Sequence, residues 1–162
     1  FCNMLIHKFA VKFALNIYPP LFFNRIILKE ISNDFTYMKV HIKKSVFNMN
    51  LHKTIFGGSI FSACDPYFPT MYYQIFASKG RKLIIWMKSA DIQYLKPAES
   101  SLELIFKLNE RDIKLVEKEL NNKGKFEIWH TVQAINKQGI ICASAKLLVY
   151  MRDETIIKQL KH

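Results

Sequence analysis

The sequence predicts an α+β fold in which an antiparallel sheet wraps around one long central helix, with an extra helix at the N-terminus. Three observations carry this expectation. Residues 59–76 form an apolar stretch without period-2 alternation and too long for a strand, which reads as a buried helix. Six other segments, 26–31, 36–42, 83–95, 101–108, 125–135 and 140–151, read as strands. The helical stretch falls between the second and third of these strands, so one helix lying on one face of the sheet satisfies the order.

The elements follow in order. In residues 4–18, Lys8, Lys12 and Asn16 recur at i, i+4 and i+8, one polar stripe on an otherwise apolar helix, and Pro19-Pro20 is expected to end it. Lys8 and Lys12 interrupt the apolar run and no small-x-small pattern follows, which argues against a signal peptide. A helix that caps the core or forms an oligomer contact is expected here, ahead of a membrane-surface helix. Residues 26–31 and 36–42 read as two strands joined by Ser32-Asn33-Asp34, which is turn chemistry. In the second, Met38, Val40 and Ile42 share one face, and His41 falls on the solvated one. A polar loop from Asn48 ends in Gly57-Gly58, where the central helix starts. Pro66 lacks the amide proton that would reach the Ser62 carbonyl, so the helix should kink or break near Asp65. Strands are expected over 83–95, 101–108, 125–135 and 140–151, the last two joined by an Asn136–Gly139 hairpin turn, with a short charged helix over 111–120.

Composition bounds the function. The chain has 162 residues, half of them hydrophobic, which suits one packed domain over 1–162 with 1–20 as a helical extension. No stretch approaches the ~20 apolar residues of a membrane span, so no stable membrane insertion is expected. A net charge of +11 comes mostly from singly dispersed Lys among many Ile, Asn and Phe; without a basic block or recognition motif, no nucleic-acid partner is expected. Cys2, Cys64 and Cys142 cannot close into a disulfide set, which fits a reducing cytoplasm with Cys64 and Cys142 as core residues. No His pair has HxxxH or HExxH spacing, and no metal site is expected.

Asn50, Gly57-Gly58 and Asp65 form the constellation with chemical content. The first amides of a helix have no intrahelical partner, and the helix dipole makes that end positive. Glycine allows a carbonyl oxygen to approach those amides, the requirement of an oxyanion hole. Asn50, in the loop before, can hold a water or a carbonyl. Asp65 follows about two turns later, a carboxylate in an apolar helix, and burial there would raise its pKa and strengthen it as a base. The other reading is that Asp65 caps the backbone broken by Pro66.

The segment from Asn50 to Pro66, with Thr54, Phe56-Gly57-Gly58-Ser59 and Asp65-Pro66, resembles the central motif of hotdog-fold thioesterases of the phenylacetate-pathway type. It is more closely similar to the bacterial DUF4442 branch, described as tetrameric acyl-CoA thioesterases, with the pattern N-x-x-G-T-x-F-G-G-S-x-x-x-x-x-D-P. Tyr18-Pro19-Pro20, Trp86-Met87-Lys88-Ser89-Ala90 and Tyr94-Leu95-Lys96-Pro97 resemble further segments of that branch, so the likeness spans nearly the whole chain. The resemblance implies a hotdog fold and hydrolysis of a fatty or aryl acyl-CoA. It implies that the Gly57 N–H polarises the thioester carbonyl, with Gly58 beside it, that Asp65 is general base or nucleophile, and that Asn50 orients water or thioester. Thr54, Phe56, Lys88 and Ser89 would then border the acyl-CoA, the last two from a neighbouring subunit. A homodimer or homotetramer is implied, and no cofactor beyond the coenzyme A of the substrate. The alternative on the same fold is a non-catalytic acyl- or lipid-binding protein. Three positions depart from the pattern: Phe56 where better-characterised thioesterases often have His, Lys53 where the branch has Gly, and Met87 where it has Asp.

Overall fold

A computed structural model describes residues 8–159. In chain order the elements are α1 (Lys8–Ile17), α2 (Pro19–Phe23), β1 (Ile26–Ile31), β2 (Tyr37–Ile42), α3 (Gly57–Ser62), α4 (Tyr67–Ser78), β3 (Leu83–Tyr94), β4 (Leu102–Lys107), α5 (Glu110–Lys123), β5 (Lys125–Asn136), β6 (Ile141–Asp153) and α6 (Glu154–Gln159). The strands form one sheet in the order β1-β2-β4-β5-β6-β3, with every neighbouring pair antiparallel. This is the α+β arrangement of a sheet curled about a helix.

The period-2 pattern sets the inner face. Met38, Val40 and Ile42 of β2, Leu102, Leu104 and Phe106 of β4, and Leu147, Val149 and Met151 of β6 are all buried on it. Tyr67, Phe68, Met71, Tyr72, Ile75 and Phe76 of α4 cover it, at the i, i+1, i+4 spacing that keeps one helical face against a sheet. The central rod is broken where the proline chemistry requires. α3 ends at Ser62, residues 63–66 form turns, and Pro66 stands at the N-cap of α4. Pro69 sits in the first turn of α4, where its missing N–H would have had no partner anyway. Cys64 and Cys142 are buried and free, while Cys2 and residues 4–7 of the first expected helix lie outside the described residues.

Five features differ from expectation. Pro19 and Pro20 end α1 but also occupy the first positions of α2, because a fixed φ and a missing N–H suit a helix start. α6 was not anticipated; Asp153 Oδ1 accepts from the amides of Thr155 and Ile156 at 3.0 and 3.3 Å and so starts it. β3 bulges between Met87 and Ser89, which lets Leu83, Ile85 and Met87 and then Ala90 and Ile92 face inward although the spacing changes. β4 and β5 pair only where Leu102–Leu104 meet Ala134–Asn136, and α5, capped by Asn109 accepting from the Asp112 amide at 2.8 Å, connects them in the chain. His41 is half-buried on β2, with burial lowering its pKa, rather than freely solvated.

Candidate functional site

The loop from Ser45 to Phe56 positions the helix start. Asn48, buried, is its anchor: Oδ1 accepts from the Ser45 amide at 2.9 Å, and Nδ2 donates to the carbonyls of Asn24 at 2.8 Å and Lys43 at 3.0 Å. Its own carbonyl accepts from the Phe56 amide at 2.8 Å, and Ser59 Oγ donates to Asn24 Oδ1 at 2.6 Å. The Asn50 carboxamide closes the tip of the loop. Its Oδ1 accepts from the amides of His52 at 3.0 Å and Thr54 at 3.1 Å, and its Nδ2 donates to Thr54 Oγ1 at 2.8 Å. Lys53 takes φ +59° in this turn, the left-handed region that glycine enters without strain, which gives a physical reason for the Gly of the related pattern at this position.

At the helix start Phe56 is the N-cap residue, with φ −59° and ψ 132°, and its carbonyl accepts from the Ser59 amide at 2.9 Å. Among the described residues the N–H groups of Gly57 and Gly58 have no hydrogen-bond partner. Both glycines are crowded by rings. A Cβ on Gly57 would lie 3.0 Å from Tyr94 Cζ, and one on Gly58 would lie 2.3 Å from Phe56 Cε1. The Tyr94 hydroxyl donates to the Gly57 carbonyl at 2.9 Å, and burial raises its pKa. This fixes the edge strand β3 to the tip of the central rod. A cavity of about 510 Å³ opens there, lined by Asn50, Thr54, Gly57, Ile60, Tyr94 and Lys96 among others.

Asp65 lies in the turn between α3 and α4. Its carboxylate makes no hydrogen bond or ion pair with the described residues, so it does not cap the break at Pro66. Although the residue is exposed in the single chain, surrounding protein strips enough water from the carboxyl to raise its pKa. Within one chain it does not line the cavity at Gly57.

The structure therefore brings Asn50, Thr54 and Gly57 together around one opening, with Gly58 and Phe56 adjoining, and leaves Asp65 apart from them. Lys88 and Ser89 lie at the β3 bulge, and the Lys88 ammonium pairs with Glu127 and sits 5.9 Å from the centre of the Tyr150 ring. Met87 is half-buried and faces inward opposite the buried Val149. Sequence reasoning missed two residues of this region. Asn48 carried no signal beyond its place in a polar loop, whereas alternation set Tyr94 on the face of Ala90 and Ile92 without revealing its bond to Gly57. Among the described residues no group of three or more His, Cys, Asp or Glu side chains could hold a metal ion, and no helix is long and apolar enough to cross a membrane.

Comparison with known proteins gives the wider setting. Among curated proteins none matches this chain. Among solved structures, PA5026 of Pseudomonas aeruginosa, described as a protein of unknown function and probable thioesterase, superposes with a TM-score of 0.79 at 16% identity, covering 94% of this chain and all of its own. Thioesterase HI1161 of Haemophilus influenzae gives 0.65 at 8% identity, covering 89% of each chain. The PaaI protein of the E. coli phenylacetic acid degradation operon gives 0.59 at 14% identity, covering 83% of this chain and 85% of its own. At these identities the likeness establishes the fold alone, and that fold is the hotdog fold. Residues 7–151 match a domain of unknown function, DUF4442, and the chain belongs to that family.

Proposed function

We propose that the chain is a thioester hydrolase acting on the acyl-CoA of a fatty or aryl acid. The observation that carries this reading is the pair of unpartnered amides at Gly57 and Gly58, at the positive end of a helix and beside an open cavity. A thioester carbonyl seated there gains hydrogen-bond donors as its oxygen becomes negative. Asp65 takes a proton from water as the water oxygen bonds to the carbonyl carbon, and it returns that proton to the coenzyme A sulfur as the C–S bond breaks, leaving free acid and thiol. The raised pKa of Asp65 makes it a stronger base than a solvated carboxylate, at the cost of a smaller ionised fraction.

The separation of Asp65 from the Gly57 cavity supports a site completed by a second copy. Among the described residues nothing pairs with the outer edge of the twelve-residue strand β3, which suits strand pairing between copies. In such a dimer the acid of one protomer would face the glycine tip of its partner. Lys88 and Ser89, at the bulge of that same strand, would flank the substrate from across the interface. A tetramer built from two such dimers, working in the cytoplasm on substrate alone with no bound cofactor, completes the proposal.

Release of free coenzyme A from a panel of acyl-CoAs tests it. Asp65→Asn should lower kcat by about 10²- to 10⁴-fold while leaving KM within a few-fold. Equal, slow rates for wild type and variant would leave the second reading, a non-catalytic acyl-binding protein. Two observations favour that alternative: the apolar Met87 on the inner face of β3, and the engagement of the Asn50 carboxamide within its own loop.

A further inference from the structure

We propose that the face formed by α1, α2 and the neighbouring Phe47 is a docking surface for an anionic phospholipid bilayer, independent of the hydrolase reading. The polar stripe of α1 does not face solvent. Lys12 and Asn16 turn toward β1, where they bond to the backbone of Lys29 and Leu28, and Val11 is buried beside them. Anchoring the polar side inward turns the aromatic side out. Phe13 is 65% exposed and Ile17, one turn on, 54%, and the series continues through Tyr18, Phe22 and Phe23, the last at 66%. Single exposed apolar residues are ordinary, but a contiguous run within eleven positions marks an interaction surface. Phe47, 66% exposed, widens it: the Arg25 guanidinium lies 4.7 Å from the centre of its ring, and Asn48 bonds its loop to Asn24 at the end of α2.

Charge selects the occupant. Residues 8–29 contain Lys8, Lys12, Arg25 and Lys29 and no acid, and residues 35–64 add Lys39, Lys43, Lys44 and Lys53, again with no acid. Aromatic side chains projecting among cations match the boundary between phosphate headgroups and acyl chains. A second copy of this chain fits less well. A two-fold interface through this face would bring like charges together, with no acid in residues 8–29 to answer them. No helix among the described residues is long and apolar enough to cross a membrane, so the contact is interfacial and reversible.

Flotation of the full chain with vesicles decides the matter. Partition onto phosphatidylcholine vesicles enriched in phosphatidylserine should exceed that onto phosphatidylcholine alone by at least about tenfold at low salt and collapse at high salt. Phe13→Ser/Phe22→Ser/Phe23→Ser should lower it about tenfold or more, with the circular dichroism spectrum unchanged because all three side chains are exposed. Arg25→Gln should cost about fivefold on the anionic vesicles and nothing on the neutral ones. Phe13→Ser alone, at an outward helix position, keeps the test decisive if the triple change disturbs α2. A wild type that stays in solution with both vesicle types, or a triple variant that floats like wild type, overturns the proposal. So does a triple variant whose solution mass falls by light scattering without any vesicle effect, since the face then belongs to another copy of the chain.

Discussion

The two edges of the sheet answer the same liability in different ways. A strand at an edge presents unpaired amides and carbonyls that invite pairing with another chain. At β1 the chain covers its own edge. Asn16 Oδ1 accepts from the Leu28 amide at 2.7 Å, Asn16 Nδ2 donates to the Leu28 carbonyl at 3.3 Å, and the Lys12 ammonium donates to the Lys29 carbonyl. The irregularity between Leu28 and Glu30 presents this backbone to side chains rather than to a further strand. At β3 no such cover exists among the described residues; Ile84 and Trp86 are exposed along a strand twice as long as β1. A helix carrying an ammonium and a carboxamide at i and i+4 thus substitutes for a strand. An edge left bare over twelve residues stays open to strand pairing, as the proposed dimer requires.

The start of β3 is held from behind by Asp153. Leu83 pairs with Asp153, whose Oδ2 accepts from Arg81 Nε at 2.9 Å while Arg81 Nη1 donates to Asn121 at 2.9 Å. The Asp153 side chain is only 4% exposed, Arg81 Nη2 is buried without a partner, and among the described residues Asp153 is the one carboxylate that pairs with the guanidinium. Asp153→Ala should lower unfolding stability by about 3–5 kcal/mol in urea titration, since it strands a buried charge and removes the cap of α6. A loss below about 1 kcal/mol would mean that β3 is held elsewhere. The covered edge predicts a smaller effect. Asn16→Ala should cost about 1–3 kcal/mol, because it removes both polar partners of Leu28. Asn16→Asp keeps the acceptor and loses the donor, and should fall between wild type and Asn16→Ala. Faster amide exchange confined to Leu28 and Lys29 in Asn16→Ala would sharpen the contrast, while exchange unchanged there would break it.

Much of this architecture was legible in the sequence because it follows from local rules. Alternation in β2 and β4, the glycine-led rod and its break at Pro66 all rest on residues within a few positions of one another. What stayed hidden depends on partners distant in the chain. Tyr94 bonds to Gly57 across 37 positions, and Asn16 to Leu28 across twelve, so neither function could be read from spacing. The bulge at Lys88 shifts the inward pattern by one residue, which a strict period-2 reading of β3 passes over. In the site, the position of Asn50 was legible but its role was ambiguous, because the same carboxamide that can hold a water can also close its own turn. Asp65 was legible as a lone acid in an apolar segment; its distance from the glycine cavity in one chain was not, because the break at 63–66 redirects the helix.

The smallest predicted effect concerns the seam between the two halves of the sheet. Where β4 and β5 part, the buried His130 ring stacks on Phe68 at 4.4 Å, and its Nε2 lies 2.9 Å from the Tyr72 hydroxyl. Burial lowers the His130 pKa, opposed in part by Asp112. In the unfolded chain the imidazole titrates near the ordinary value of about 6.5. As pH falls below that value the unfolded chain takes up a proton that the folded one refuses, so the equilibrium moves toward unfolding. The stability contribution is present above about pH 6.5 and declines as pH falls toward the folded pKa. His41, on β2 beside the covered edge, shifts in the same direction, through burial first and then the charge of Lys29. The melting midpoint should therefore drop by a few degrees between about pH 7.5 and about pH 5.5. His130→Phe combined with Tyr72→Phe, which leaves neither ring polar, should remove most of that slope, because the deeper histidine gives up more hydration. If the slope survives in the double variant and disappears in His41→Gln, the sensitivity belongs to the β1 side and the seam is an inert aromatic joint.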